Sequence, residues 1–156
     1  MSFPTQETIF GIINYKNKQY DLLTNPLDDI IREKINIYKN KNKCGISTAP
    51  WSSNKFEWIV ENNKLFLISI KLKLCENQDN LINNIFNTNK LFASYLNDSI
   101  KLLVSKKEMK VMHNLKIKMQ RDVIILKFND GKLINSYNKV EEYNLINLKY
   151  YIDKED

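Results

Sequence analysis

The stretch FEWIVENNKLFLISIKLKLC, residues 56–75, decides how this chain folds. Two apolar runs flank Glu61-Asn62-Asn63-Lys64, and adjacent asparagines tolerate the positive φ that a tight reversal needs. The stretch therefore reads as a β-hairpin. Past the turn, Phe66, Ile68, Ile70, Leu72 and Leu74 alternate with Leu65, Leu67, Ser69, Lys71 and Lys73. A period of two puts the first set on one face and the lysine-bearing set on the other.

Toward the N-terminus, Thr8–Tyr15 and Lys18–Leu23 are β-prone runs parted by Lys16-Asn17, a second hairpin. A helix follows. Asn25-Pro26-Leu27-Asp28 offers a capping side chain, a proline at the first helical position and a carboxylate in the first turn. Leu27, Ile30, Ile31, Ile35 and Tyr38 recur at helical spacing as one apolar stripe. The helix fades into Lys39-Asn40-Lys41-Asn42-Lys43, a solvated loop.

Toward the C-terminus, a short helix spans Leu81–Phe86, and a meander begins after Lys90. Its expected strands are Leu91–Leu96, Ser99–Ser105, Met109–Met119, Arg121–Phe128 and Leu133–Tyr137, with a turn at Asn97-Asp98. Asn129-Asp130-Gly131-Lys132 is the sharpest turn signal in the chain. Val140–Ile152 fits a helix or a strand equally well. With no internal repeat and no linker, residues 1–156 read as a single domain. Its class is α+β: mainly antiparallel sheet, built from hairpins and a meander, with one N-terminal helix and one short helix.

Composition narrows the function. The chain is 43% hydrophobic over 156 residues, enough for a core, and three glycines and three prolines exclude collagen-like or Pro/Gly-rich disordered classes. Its apolar runs are too short to cross a bilayer as helices. Met1-Ser2-Phe3-Pro4-Thr5-Gln6-Glu7 has no basic segment leading into a hydrophobic one, which predicts a cytoplasmic protein without membrane attachment. Cys44 and Cys75 stand 31 positions apart with no CxxC pattern, and read as free, structural thiols.

The net charge is +6, but 22 lysines accompany only two arginines, Arg32 and Arg121, with 22 Asn and 20 Ile. That skew is the mark of AT-rich coding, so the positive balance is weak evidence for phosphate recognition, where arginine is the residue of choice. The charge is patchy: residues 39–75 and 101–132 are basic, and the segments around them are mildly acidic.

No catalytic motif assembles. His113 is the single histidine and shares its expected strand face with Val111, Leu115, Ile117 and Met119. A histidine so placed reads as a hydrogen-bonded core or rim residue, and no HxxE, HxH or CxxC supplies the further ligands of a metal site. Asp28-Asp29 and Glu141-Glu142 are adjacent pairs whose side chains diverge, so neither forms a catalytic dyad. Glycines at 11, 45 and 131 make no nucleotide-binding loop, and GxSxG is absent. The expectation is a non-enzymatic chain without metal or cofactor.

Cationic strand faces are the more informative feature. Lys71 and Lys73 share one face, and Lys110, Lys116 and Lys118 share the face opposite His113. Were these strands neighbours, one sheet face would be cationic, fit either for an acidic protein partner or for nucleic acid held by phosphate contacts and stacking. Trp51 stands in the polar loop Ser47–Asn54, where a large aromatic either anchors a partner or packs over the sheet end.

Taken together, Ser47-Thr48, Trp51, Trp58, Leu65-Phe66-Leu67 and Ile70, then Phe92-Ala93, Tyr95 and Ile100, resemble a family of small bacterial proteins. That family carries the pattern STxxWRGYxxTWxIxxGxLYLxxI followed by FAxWxxGxL. Asp130-Gly131-Lys132-Leu133 matches its closing xxGxL turn, and the resemblance covers residues 47–133. Two departures stand out: Ser52-Ser53-Asn54 replaces the family's Arg-Gly-Tyr, and Asp98 replaces a glycine. The resemblance implies a shared scaffold rather than an activity. In size and character the chain also resembles bacterial toxin-immunity proteins, which implies a binder of a cognate toxin, such as one of contact-dependent growth inhibition. The expected partner-contacting residues are Trp51, Lys71, Lys73, Lys110, Lys116 and Lys118, and the alternative is a nucleic-acid-binding or regulatory module.

Overall fold

In the structure, a computed structural model, residues 8–42, 44, 54–73, 75, 80–111 and 116–146 are described. Three two-residue reversals organise it. Lys16-Asn17, Asn62-Asn63 and Asp130-Gly131 all take positive φ, the geometry whose twist matches the flanking strands of a tight hairpin. They join β1 (Ile12–Tyr15) to β2 (Lys18–Leu22), β3 (Lys55–Glu61) to β4 (Lys64–Lys71), and β7 (Lys116–Asn129) to β8 (Lys132–Ile146). Between them come α1 (Asp29–Lys41), α2 (Leu81–Phe86), β5 (Leu91–Phe92) and β6 (Ser99–Val111).

The eight strands form one sheet in the order β3-β1-β2-β6-β7-β8-β4-β5, and a further β3–β4 pairing closes it on itself. The class is α+β, with antiparallel pairing throughout except between β1 and β3, which run parallel. A parallel neighbour needs a long crossover, and the connection through β2 and α1 supplies it. Trp58, Leu65, Leu67, Leu22, Ile13, Leu102 and Leu126 of the strands share one core with Ile35 of α1, and all are fully buried.

Several local expectations are corrected. The helix is capped by Asp28, whose Oδ1 accepts from Ile31 N at 2.8 Å, while Asn25 instead accepts from Leu27 N in the turn before it. Leu27, Ile31 and Ile35 are buried, but Ile30 faces solvent, because only one side of the helix meets the sheet. In β4 the buried residues are Leu65 and Leu67, then Ile70, followed by Leu72 just past the strand. The β3–β4 register shifts between Glu57 and Trp58, opposite Ile68. One extra residue in a strand switches every later side chain to the other face, so strict alternation across Ile68 does not hold.

In the meander, only Leu91 and Phe92 pair as a strand; residues 93–98 instead lie as a wedge between β4 and the β7–β8 turn. Ala93 N donates to Leu65 O, Gly131 N to Leu96 O, Leu65 N to Gly131 O and Phe128 N to Asp98 O. Gly131 is required there: at φ +76° an added Cβ would lie 2.4 Å from Ala93 O. The span Met109–Met119 is not one strand, since the chain reverses between Val111 and Lys116, and His113 lies outside the described residues. The ambiguous Val140–Ile152 segment is strand as far as Ile146.

The cysteines are not free. Cys44, just after α1, and Cys75, just after β4, form a disulfide across Cα atoms 4.6 Å apart. The fold brings the residues after α1 beside those after β4, a proximity that linear spacing cannot reveal.

Strand length divides the molecule. β1 to β4 have four to eight residues, whereas β6, β7 and β8 have 13, 14 and 15. β2 pairs with β6 only at Leu102 and Leu103, and β4 meets β8 only at Lys132. Beyond those seams the three long strands continue as an arm.

Candidate functional site

The structure separates the lysines that the sequence groups. β4 and β8 run antiparallel through the Lys64↔Lys132 pair, so Lys71 lies off one end of that seam and the far half of β7 and β8 off the other. Lys71 and Lys73 therefore belong to the closed body, and Lys110, Lys116 and Lys118 to the arm, where Lys110 pairs in register with Lys118 and Lys116 with Ile146. β4 and β6 are not neighbours, so the lysines do not form one cationic face. Trp51 lies outside the described residues, but its loop ends at Asn54.

Of the expected contact residues among those described, Lys71 alone lines a cleft at this end of the body. The cleft, of about 400 Å³, is lined by Gly11, Asn54, Lys55, Glu57, Ser69 and Lys71 among others. Asn54 is buried and its Oδ1 accepts from Lys73 N at 3.0 Å, which ties the residue before β3 to the segment that follows β4. Glu57 accepts from Asn14 Nδ2 at 3.0 Å, holding its carboxylate against β1. Lys55 stands directly opposite Lys71 across the strand pair, and both are exposed. Like charges facing each other across a sheet are destabilising.

Among the described residues two further lysine pairs stand opposite each other in register, and in each one lysine has a local partner. Of Lys64 and Lys132, Lys64 lies over the Phe92 ring at 5.6 Å. Of Lys110 and Lys118, Lys118 pairs with Glu142 at 3.2 Å. For Lys55 and Lys71 no ion pair or ring contact occurs among the described residues. This pair is the part of the cleft that sequence reading missed, because Lys55 becomes Lys71's neighbour only through the hairpin register.

A second surface also emerges only in three dimensions. Phe66 and Phe92, cross-strand neighbours 5.5 Å apart, carry Lys90 over the Phe66 ring at 4.7 Å. Lys90 is itself ion-paired with Glu61.

On the arm, Glu141 accepts from Lys101 Nζ at 2.6 Å and from Arg121 Nε at 2.8 Å. Burial alone would raise its pKa, but the hydrogen bonds and charges of Lys101 and Arg121 outweigh that and hold the carboxyl below its usual range. Arg121 also lies over the Tyr143 ring at 5.1 Å. Glu141 and Glu142 thus serve opposite faces of β8, as strand geometry requires. Tyr95 donates to Pro26 O, and burial, followed by the nearby Asp28 charge, pushes its hydroxyl well above the usual tyrosine range. It ties the wedge to the start of α1 and is no acid or base near neutral pH.

Among the described residues no three His, Cys, Asp or Glu side chains gather into a metal-holding group, and no helix is long and apolar enough to cross a membrane. Compared with known proteins, the chain matches no family model, no curated protein and no solved structure.

Proposed function

We propose that this protein is an antitoxin-like immunity protein that neutralises a cognate bacterial toxin by binding it, without catalysis of its own. The reading commits the body-end cleft, with Lys55, Lys71, Lys73 and the Trp51 loop, to contact with an acidic surface of the toxin, such as one of contact-dependent growth inhibition. The observation that carries it is the Lys55–Lys71 pair. Two exposed ammonium groups held opposite each other raise the energy of the free chain, and a partner carboxylate placed between them would relieve that repulsion and speed encounter.

The alternative, a nucleic-acid-binding or regulatory module, would draw on the arm's cations. Lys101, Arg121 and Lys118 are already engaged by Glu141 and Glu142, which favours the protein partner. The sequence predicts a cytoplasmic complex, whereas the Cys44–Cys75 bond favours an oxidising compartment, where disulfides persist. The intact mass of the chain from its producing cells, lighter by two hydrogens if the bond is present, decides between them.

The test is calorimetric titration with the product of the adjacent gene, in parallel with generic RNA and DNA duplexes. We expect tight binding to the protein with weak salt dependence, and a loss of affinity of about tenfold or more, roughly 1.4 kcal/mol, for the Lys55→Glu, Lys71→Glu double variant. Steeply salt-dependent binding to nucleic acid alone would overturn the reading.

A further inference from the structure

Past its single pair with β4 at Lys132, β8 runs on as an open edge among the described residues. Leu133 N donates to Asn63 O at 2.7 Å, and beyond that residue no strand pairs with the outer edge of β8 among the described residues. Every residue from 134 to 140 is exposed, and Ile134, Tyr137 and Val140 each show roughly half or more of their surface, 57%, 49% and 59%. A long, flat, partly apolar edge is a template for another strand, and proteins normally blunt such edges with prolines, charges or short length. β8 has no proline in 15 residues, and only one lysine, Lys139, beyond its first position.

The order of residues on that edge says which strand fits. In an antiparallel pairing of β8 with itself about a two-fold axis normal to the sheet, each axis position fixes the whole register. Axes at residues 139, 141 or 142 set Lys against Lys or Glu against Glu. An axis at Val140 sets Lys139 opposite Glu141 twice over, Tyr137 opposite Tyr143 and Ile134 opposite Ile146. This is the register that faces opposite charges and pairs like with like among aromatic and aliphatic residues, the combinations that stabilise cross-strand neighbours.

We propose that β8 is a self-association edge, and that a second copy of this chain adds its own β8 antiparallel to it, centred on Val140, so that the two arms become one continuous six-stranded sheet. The dimer seam lies on the arm, away from the cleft assigned to the toxin, and does not depend on that assignment.

Sedimentation velocity of the full chain over a wide range of concentration tests it, with two variants. Val140→Lys changes an exposed side chain, sets two ammonium groups on the axis, and is expected to raise the dimer dissociation constant about tenfold or more while leaving the melting temperature of the dilute monomer in place. Val140→Cys, whose partner would be its own symmetry mate at a Cα separation within disulfide reach, is expected to cross-link into a covalent dimer under mild oxidation. Ser136→Cys, equally exposed but opposite Asn144 in this register, is expected not to. A chain that stays monomeric at every concentration overturns the proposal. So does equal cross-linking at 136 and 140, or a Val140→Lys dimer of unchanged strength. A monomer whose β8 amides resist hydrogen exchange would instead assign the edge to the chain's own residues beyond Ile146, and likewise overturn it.

Discussion

Between Ile13 and Leu72 the strands of the body place fully buried side chains at Ile13, Leu22, Trp58, Leu65 and Leu67, whereas β8 buries none of its side chains from Ile134 to Val140. The same chain thus contains a region fixed by packing and a region fixed by backbone pairing and charge. In the body, strands are short because each must turn back to cover a common interior. In the arm, β7 is held on both sides by ladders that run most of its length, and Lys101, Arg121 and Glu141 bridge three strands. The contrast teaches that secondary structure here does not report burial: β8, the longest strand, leaves seven successive residues, 134–140, exposed.

Substitutions should divide along the same line. The largest effect is expected for Trp58→Ala in the body, a loss of about 3–5 kcal/mol in urea unfolding, since a fully enclosed indole leaves a cavity. Val140→Ala on the arm should change stability by no more than ~0.5 kcal/mol in the same assay. If the two variants unfolded at similar urea concentrations, the division would fail.

Next in size is the disulfide. Replacing both Cys44 and Cys75 by Ser should cost about 2–4 kcal/mol, as expected for freeing a loop of this length in the unfolded chain. Hydrogen exchange should show the loss at α1 and β4, with arm amides unaffected.

Gly131→Ala tests the seam that joins the regions. A methyl group at a left-handed φ, pressed on Ala93 O, should cost on the order of 1–3 kcal/mol. A variant as stable as the parent would show that the wedge does not hold the seam.

The smallest effect concerns Glu141. Its folded pKa is depressed, so its contribution is present above the ordinary carboxylate range and is lost as the pH falls through the folded value. Protection of β7 and β8 amides, measured against their intrinsic exchange rates at each pH, should therefore fall selectively below about pH 4. Glu141→Gln should cost under about 1 kcal/mol, as partly exposed pairs do, and should abolish that acid sensitivity. Acid sensitivity that survived the substitution would assign it to another carboxylate.

Much of this fold was legible because its signals are local. Lys16-Asn17, Asn62-Asn63 and Asp130-Gly131 are turns in sequence and in space, since short polar side chains and glycine accept the positive φ that other residues resist. The short helix Leu81–Phe86 appears where its apolar spacing puts it. What failed locally failed for identifiable reasons. The shift opposite Ile68 exchanged faces that alternation kept constant, and residues 93–98 kept an extended pattern while bonding to three different elements.

The candidate site was only half legible. Lys71 and Lys73 carried their signal in the alternation of their own segment, but Lys55 acquired meaning only by pairing with Lys71, and Lys118 on the arm acquired an acidic partner, Glu142, from β8.

By itself, the sequence determined the class of the fold, the places where the chain reverses and the absence of a linear catalytic motif, because each depends on neighbours a few residues apart. Only the tertiary structure decided that the sheet closes on itself, that Cys44 meets Cys75, that two exposed lysines stand opposite each other on neighbouring strands and that β8 beyond Leu133 has an open edge among the described residues. These are relations between residues far apart along the chain. They are fixed by which faces must be buried together, and no local pattern contains that choice.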